Sequence, residues 1–159
     1  MIEDKIKSVE KLKTKLSLLK SEGKSIVFTN GCFDILHVGH ISYLEEAKKQ
    51  GDVLVVAINS DISVKKVKGA GRPILSEGDR LKMLAALESV DFVTIFSQDD
   101  PASIVTELDP DIIVKGSDWK EEEIIGAEHV KNSGGRVASI PFLKGYSTTE
   151  LINKIKGLK

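Results

Sequence analysis

The chain has 159 residues, of which 41% are hydrophobic and 30% are charged. This length and balance fit one folded domain and exclude an intrinsically disordered chain. Its 23 basic and 24 acidic side chains give a net charge of −1, so overall charge favours neither nucleic acid nor an anionic membrane as a partner. Cys32 is the single cysteine, which excludes an internal disulfide. The apolar runs are too short to cross a bilayer and residues 1–20 lack a signal-peptide core, so we expect a cytoplasmic protein.

The N-terminal segment has apolar residues at helical spacing. Ile6, Val9, Leu12, Leu16 and Leu19 lie on one face of a helix over residues 5–20. We expect this helix, within an N-terminal segment of residues 1–22, to pack on the edge of a sheet and to end at Gly23.

Five short apolar runs, rich in β-branched residues, predict strands that are buried on both faces. They alternate with helical patterns, one of which has its apolar stripe at Ile41, Leu44 and Ala47. The alternation predicts a single α/β domain, a Rossmann-like, doubly wound, parallel five-stranded sheet with helices on both faces, over residues 24–157. The predicted strands are Ser25–Thr29, Val53–Ile58, Phe92–Phe96, Ile112–Val114 and Val137–Ile140.

Two further local signals complete this outline. Ser76 and Ser147 are predicted helix N-caps, because each precedes an acidic residue by three positions. The segment Lys65–Pro73 is rich in glycine and cations and predicts a mobile loop.

The first predicted strand runs into the segment Thr29–His40, and a helix follows at once. In an open α/β sheet ligands bind beside such a turn, and a helix N-terminus there attracts anions. His37 and His40 flank this N-terminus, while Gly31 and Gly39 allow a phosphate to approach the backbone. The glycine-rich phosphate loops G-x-x-x-x-G-K-[ST] and G-x-G-x-x-G are absent from the segment. The pattern therefore predicts a phosphate site built with histidines.

Other interpretations of this segment stay open at this point. Two histidines near a helix start can simply be capped and solvated. Cys32, His37 and His40 are ligand types that zinc accepts, although no fourth ligand is evident nearby. Cys32 as a nucleophile would need a base and an orienting partner, so packing at the strand end is the simpler role.

The segment GCFDILHVGH resembles the H-x-G-H signature of the nucleotidyltransferase superfamily, in its cytidylyltransferase-like branch. Three further segments agree in the same order along the chain: Gly78–Arg80, Gly116–Trp119, and the S-T-T sequence Ser147–Thr149. The resemblance covers roughly Ile26 to Ile155. It implies an enzyme that joins a nucleoside triphosphate to a phosphorylated small molecule and releases pyrophosphate.

Within that branch the chain resembles heptose 1-phosphate adenylyltransferases. The matching segments are Lys68–Pro73, Ala85–Asp91, Val114–Gly116, Gly126–Glu128 and Gly134–Val137. Many such enzymes are fused to a sugar kinase, and a chain of this length is expected to be the stand-alone form. Glycerol 3-phosphate cytidylyltransferases, which use CTP, share H-x-G-H and S-T-T. They carry R-T-E-G where this chain has Phe142–Gly145, and they lack the stretch Gly126–Arg136.

The resemblance implies roles for individual residues. His37, His40, Lys68, Arg80 and Thr148 would act on the phosphates and the transition state, with Arg80 facing a phosphate. The implied nucleotide-binding residues are Asn30, Gly31, Cys32, Phe33, Gly39, Lys65, Lys115, Gly116, Asp118, Trp119, Ser147 and Thr149. Mg²⁺ would bridge phosphate oxygens with few protein ligands, Asp34 being the nearest carboxylate. The expected partners are ATP and a sugar 1-phosphate, with no nucleic acid or membrane, and a homodimer using the N-terminal helix.

Simpler roles compete with several of these assignments. Lys65–Lys68 could be a solvated charge run, Trp119 could fill the core, and Ser147 could be only an N-cap. The chain as a whole could bind a nucleotide as a regulator without turning it over.

Overall fold

The computed structural model describes residues 1–158 and contains one sheet of five parallel strands. All five predicted strands are confirmed, and the sheet order is β3-β2-β1-β4-β5. The strands are β1 (Ile26–Gly31), β2 (Val53–Asn59), β3 (Phe92–Phe96), β4 (Ile112–Gly116) and β5 (Arg136–Ile140). The chain runs outward from β1 to one edge and then returns to build the other half, so the strand order reverses between β1 and β4. Ligands bind at such a reversal in open α/β sheets.

Helices cover both faces of the sheet, as the alternating pattern predicts. They are α1 (Ile2–Lys5), α2 (Val9–Ser21), α3 (Val38–Lys48), α4 (Asp61–Lys68), α5 (Glu77–Ala85), α6 (Ala102–Leu108), α7 (Ala127–Asn132) and α8 (Thr148–Lys156). A 3₁₀ turn lies at Glu121–Glu123. One apolar layer joins the sheet to α2, α6 and α7, and the other joins it to α3 and α5. No helix within residues 1–158 is long and apolar enough to cross a membrane.

The N-terminal segment differs from the prediction in one way. The helix is interrupted at residues 6–8, where Ile6 pairs with Val93 at the edge strand and Ser8 then caps α2 by accepting from the Lys11 N–H. The prediction that the helix packs at the sheet edge is confirmed, because α2 contacts the edge strand β3 and buries Leu12 and Leu16 against that side of the sheet.

The predicted mobile loop Lys65–Pro73 is helical over its first half. Ser60 caps α4 by accepting from the Ser63 N–H, and the helix continues to Lys68 before Gly69 ends it with a positive φ of 98°. The lysines of this segment therefore have fixed positions on a helix, and only Gly69–Pro73 lacks helical structure.

Candidate active site

A cleft of about 810 Å³ opens at the carboxyl ends of β1 and β4, where the strand order reverses. Most of the predicted site residues meet there although they come from four separate parts of the chain. Those that line the cleft are Asn30, Gly31, Cys32, Phe33, His37, Gly39, His40, Lys68, Lys115, Gly116, Trp119, Ser147, Thr148 and Thr149. The structure does not bring Lys65, Arg80 or Asp118 to its lining.

The two histidines form a stacked pair at the first turn of α3. Their ring centroids are 3.8 Å apart at an interplanar angle of 26°. The His37 N–H donates to Nδ1 of His40 at 3.4 Å, so a neutral His40 ring carries its proton on Nε2. Nδ1 of His37 is buried without a hydrogen-bond partner within the described chain. A Cβ atom on Gly39 would lie 3.0 Å from the His37 ring and from Cβ of Tyr146, so glycine allows this close packing.

Burial keeps both imidazoles uncharged at neutral pH. It lowers the pKa of His40 to about 4, with a smaller contribution from the neighbouring His37, and it also lowers the pKa of His37. Neutral rings donate one hydrogen bond each and do not supply a full positive charge. The pair is therefore suited to hydrogen-bonding a phosphate rather than to acid catalysis.

The buried imidazole of His40 should make the protein less stable in mild acid. Its pKa rises from about 4 in the folded chain to 6.5 in the unfolded chain, so the unfolded state binds more protons between those values. The contribution of His40 to the free energy of unfolding is fully present above pH 6.5 and is lost as the pH falls toward 4. We expect His40→Asn to lose less unfolding free energy than the wild type between pH 7 and pH 4.5, measured by urea titration. An equal loss in both proteins would contradict the assignment.

The N-terminus of α8 faces the same cleft. Ser147 caps this helix by accepting from the Glu150 N–H at 3.0 Å, and Thr148 and Thr149 line the cleft beside it. The Tyr146 ring stacks on the His37 ring with their centroids 6.4 Å apart, and this contact connects the start of α8 to the start of α3. Two helix N-termini with unpaired N–H groups thus border one cavity, an arrangement that attracts anions.

Two predicted lysines line the cleft and one does not. Lys68 reaches it from the last turn of α4, whereas Lys65 borders a separate depression beside Asp61 and Ser76. Lys115, at the end of β4, donates from Nζ to the Asn30 carbonyl at 3.1 Å and lies 5.5 Å from the Trp119 ring centroid. Burial lowers the pKa of Lys115 to about 8, against an opposing contribution from Asp118.

Arg80 does not face the cleft, which corrects the expectation of a phosphate-facing arginine. The side chain is buried, with 1% of the residue exposed, and its guanidinium makes four hydrogen bonds to acceptors of the protein. It donates to the carbonyls of Leu75, Cys32 and Asn59 and to Oδ1 of Asp61, at 2.6–3.2 Å. Arg80 therefore joins the ends of β1 and β2 to the start of α5.

Asp34 is equally committed, which corrects its assignment as a metal ligand. Its carboxylate accepts from Nε of Arg72 and from the N–H groups of Ile74 and Leu75 at 2.6–2.9 Å. Burial by itself would raise the pKa of Asp34, but these hydrogen bonds and the charge of Arg72 together outweigh it and lower the pKa. Within residues 1–158 no three His, Cys, Asp or Glu side chains are grouped to hold a metal, so the zinc interpretation is wrong.

Cys32 and Trp119 have clear surroundings. Sγ of Cys32 lies 3.8 Å from Oδ1 of Asn59, and burial raises the pKa of the thiol, which is the reverse of what a nucleophile requires. Trp119 is 46% exposed on the cleft wall and so is not a core residue.

Several cleft residues have no counterpart in the sequence predictions. Tyr43, Asn59, Arg72, Phe142, Lys144 and Tyr146 all line the cleft. The Phe142 ring lies against the backbone of Gly116. A Cβ atom on residue 116 would collide with that ring, so glycine allows the contact. The aromatic residues Phe142 and Tyr146, which precede the S-T-T sequence, were the available signal for this wall.

A family model described as cytidylyltransferase-like matches residues 28–154. The chain belongs to this family. The matched range includes every residue that lines the cleft, from Asn30 to Glu150.

Relatives within this family match nearly the whole chain. It is 54% identical over 157 residues to the bifunctional protein HldE of Campylobacter jejuni subsp. doylei, covering 99% of this chain and 32% of that protein. It is 49% identical over 152 residues to the bifunctional protein HldE of Geotalea uraniireducens, covering 96% of this chain and 31% of that protein. The chain thus spans about a third of the length of these curated relatives.

A solved structure shares the fold. The lipopolysaccharide core biosynthesis protein from Thermoplasma volcanium is 36% identical, with a TM-score of 0.64, and the match covers 79% of this chain and 100% of that one.

Proposed function

We propose that this chain is an adenylyltransferase that transfers AMP from ATP to a heptose 1-phosphate. The products are ADP-heptose and pyrophosphate. The observation that carries the proposal is the stacked pair of imidazoles at the start of α3, which lines one cleft together with the start of α8. The similarity to HldE proteins along nearly the entire chain supports a heptose phosphate as the acceptor.

The chemistry needs no base from the protein. An oxygen of the acceptor's phosphate attacks the α-phosphorus of ATP in line, a new P–O bond forms, and the bond to the β-phosphate oxygen breaks. The acceptor is already a dianion near neutral pH and pyrophosphate leaves as an anion, so no proton has to be transferred in the step. Catalysis then consists of positioning and stabilisation of the charge that develops on the phosphorus.

Each part of the cleft has a role in this proposal. His37 and His40 would donate to the oxygens of the reacting phosphorus, and the N-terminus of α8 with Thr148 would bind the departing pyrophosphate. Lys68 would neutralise the β- and γ-phosphates from α4. The wall formed by Lys115, Gly116 and Trp119 would contact the nucleoside.

The protein residues do not provide a site for Mg²⁺. Asp34 has both oxygens occupied by Arg72 and backbone N–H groups, and the described chain offers no acidic cluster. We propose that Mg²⁺ enters as the complex that ATP itself forms through its phosphates, with water as its other ligands.

The segment that precedes the S-T-T sequence favours this reaction over the CTP-dependent alternative. Where glycerol 3-phosphate cytidylyltransferases carry a basic R-T-E-G, this chain has Phe142, and its ring is packed on Gly116. The retained histidine pair and S-T-T segment also speak against a regulator that binds nucleotide without turnover.

Pyrophosphate release in two matched reactions tests the proposal. One contains ATP and D-glycero-D-manno-heptose 1-phosphate and the other contains CTP and glycerol 3-phosphate, each with Mg²⁺. We expect release only in the first. Release only in the second would replace the proposal by a cytidylyltransferase, and ATP binding without release in either would favour the regulator.

Location and assembly belong to the same proposal. We propose that the enzyme works in the cytoplasm, where ATP is available, as a homodimer. The predicted use of the N-terminal helix as the dimer interface loses its basis, because α2 buries its apolar stripe in the core and leaves Leu18 exposed.

A further inference from the structure

The sheet is split at the cleft. β1 pairs with β4 only at Val27/Ile112 and Phe28/Ile113. Beyond that point each strand continues along its other neighbour, β1 with β2 as far as Gly31 and β4 with β5 as far as Gly116. The two central strands therefore separate over their last residues, and this separation, here called the split, forms the floor of the cleft.

One buried hydroxyl spans the split. The Tyr43 phenol donates to the Val114 carbonyl at 3.1 Å and is 2.8 Å from Oγ1 of Thr29. A phenol has only one proton, so Thr29 donates to Tyr43 in this pair. Tyr43 is 8% exposed, and burial raises its pKa to about 12, so the hydroxyl stays protonated. The two hydrogen bonds connect β1 to β4 where the backbone ladder no longer does.

Tyr43 also fixes the helix that carries the histidines. It follows His40 by three positions on α3, so the two side chains share a face of that helix. Its ring stacks on Phe142 at 6.1 Å, on the opposite wall of the cleft. Movement of Tyr43 relative to β4 would therefore carry the His37–His40 pair away from the Lys115–Gly116 wall.

The second contact across the split is less permanent. Nζ of Lys115 donates to the Asn30 carbonyl, but this cation faces the cleft and its pKa is lowered to about 8 by burial. The titratable and charged groups near it are Asp118 and Cys32. A bound nucleotide can attract the lysine away from Asn30, whereas the Tyr43 hydroxyl is buried between two protein partners.

We propose that Tyr43 is a positioning residue for the transfer reaction: its hydroxyl holds the split at a fixed width and thereby sets the distance between the histidine pair and the β4 wall. The expected effect on kcat rests on the proposed function. The expected displacement of the imidazoles when the hydroxyl is removed does not depend on it.

Deleting the hydroxyl tests the catalytic part. Tyr43→Phe keeps the ring on Phe142, and we expect it to lower kcat by about 10- to 100-fold, the scale of a misplaced reacting group. We expect the KM for ATP to change by less than about threefold, because contacts to the ground state remain. Thr29→Val removes the hydrogen bond between Thr29 and Tyr43. Because both hydroxyls act together, the variant with both substitutions should be no slower than Tyr43→Phe alone. If Tyr43→Phe does not fold, Thr29→Val alone tests the proposal, with a smaller expected decrease in kcat.

The matched control is a hydroxyl deletion at the amino end of β1, the end of the strand away from the cleft. Ser25 exchanges hydrogen bonds with Asp52 at 2.8–3.0 Å, far from the cleft. Ser25→Ala should lower the melting temperature and leave kcat unchanged. If Tyr43→Phe behaves in the same way, its role is merely structural and the proposal fails.

A second readout is independent of turnover. The chain has three histidines, so their imidazole NMR signals are resolvable in one spectrum. In Tyr43→Phe the titration midpoint of His40 should rise from about 4 toward 6.5 as its packing loosens. An unchanged His40 midpoint overturns the proposal whatever kcat does. If the wild type makes no product with any sugar phosphate, the proposed function fails and this titration alone decides the role of Tyr43.

Discussion

Replacing His40 by alanine is expected to lower kcat by about 10²- to 10³-fold, the cost of losing one donor to a transition state. His40 keeps Nε2 as its donor because Nδ1 accepts from the backbone of His37. An uncharged donor in a buried position contributes most when charge develops on the phosphorus, since little water competes there. We expect the same scale of loss for His37→Ala. The measurement is steady-state pyrophosphate release with saturating ATP and heptose 1-phosphate.

The third histidine provides the control for this prediction. His129 lies on α7 and contacts Asp109 at 2.8 Å, and it is not part of the cleft lining. His129→Ala should therefore turn over like the wild type. Turnover of His40→Ala within a few-fold of the wild type would remove the histidine pair from the mechanism.

Replacing Arg80 by alanine is expected to lower the free energy of unfolding by about 3–5 kcal/mol, the cost of breaking a buried charge network. The substitution leaves the carbonyls of Cys32 and Asn59 without their donors and empties a fully buried volume. The measurement is urea unfolding, with ATP affinity measured on the protein that remains folded.

An exposed arginine serves as the comparison. Arg136 also donates to a carbonyl, that of Gln50, but at the surface, so Arg136→Ala should cost less than about 1 kcal/mol. If Arg80→Ala keeps its stability and instead loses ATP affinity by more than tenfold, Arg80 faces the phosphates after all.

The strands and the histidine segment were predictable because they depend on local pattern. Continuous β-branched runs are typical of strands buried on both faces, and a helix directly after β1 offers N–H groups to an anion at its start. Where a side chain points is a different matter. Arg80 and Asp34 are polar residues beside the phosphate segment, and only the fold reveals that their hydrogen bonds go to backbone and side-chain groups of other segments.

The apolar stripe of α3 shows the same limit. Helical spacing groups Ile41 with Leu44 and Ala47, yet Ile41 is 37% exposed and Tyr43 is the buried neighbour. The buried face of α3 includes Tyr43 because its hydroxyl fits into the split between β1 and β4. The split depends on how distant strands pair, which no local sequence pattern predicts. Phe142 and Tyr146 were missed for a related reason, since their partners Gly116 and His37 are distant in sequence.

Tracing the phosphates of ATP tests the central claim most directly. The enzyme is incubated with heptose 1-phosphate and either [α-³²P]ATP or [γ-³²P]ATP, and the products are separated. In-line attack at the α-phosphorus predicts that the α-label enters the nucleotide sugar and that the γ-label leaves only in pyrophosphate. Transfer of the γ-label to the sugar, or its release as inorganic phosphate from ATP alone, would contradict the account.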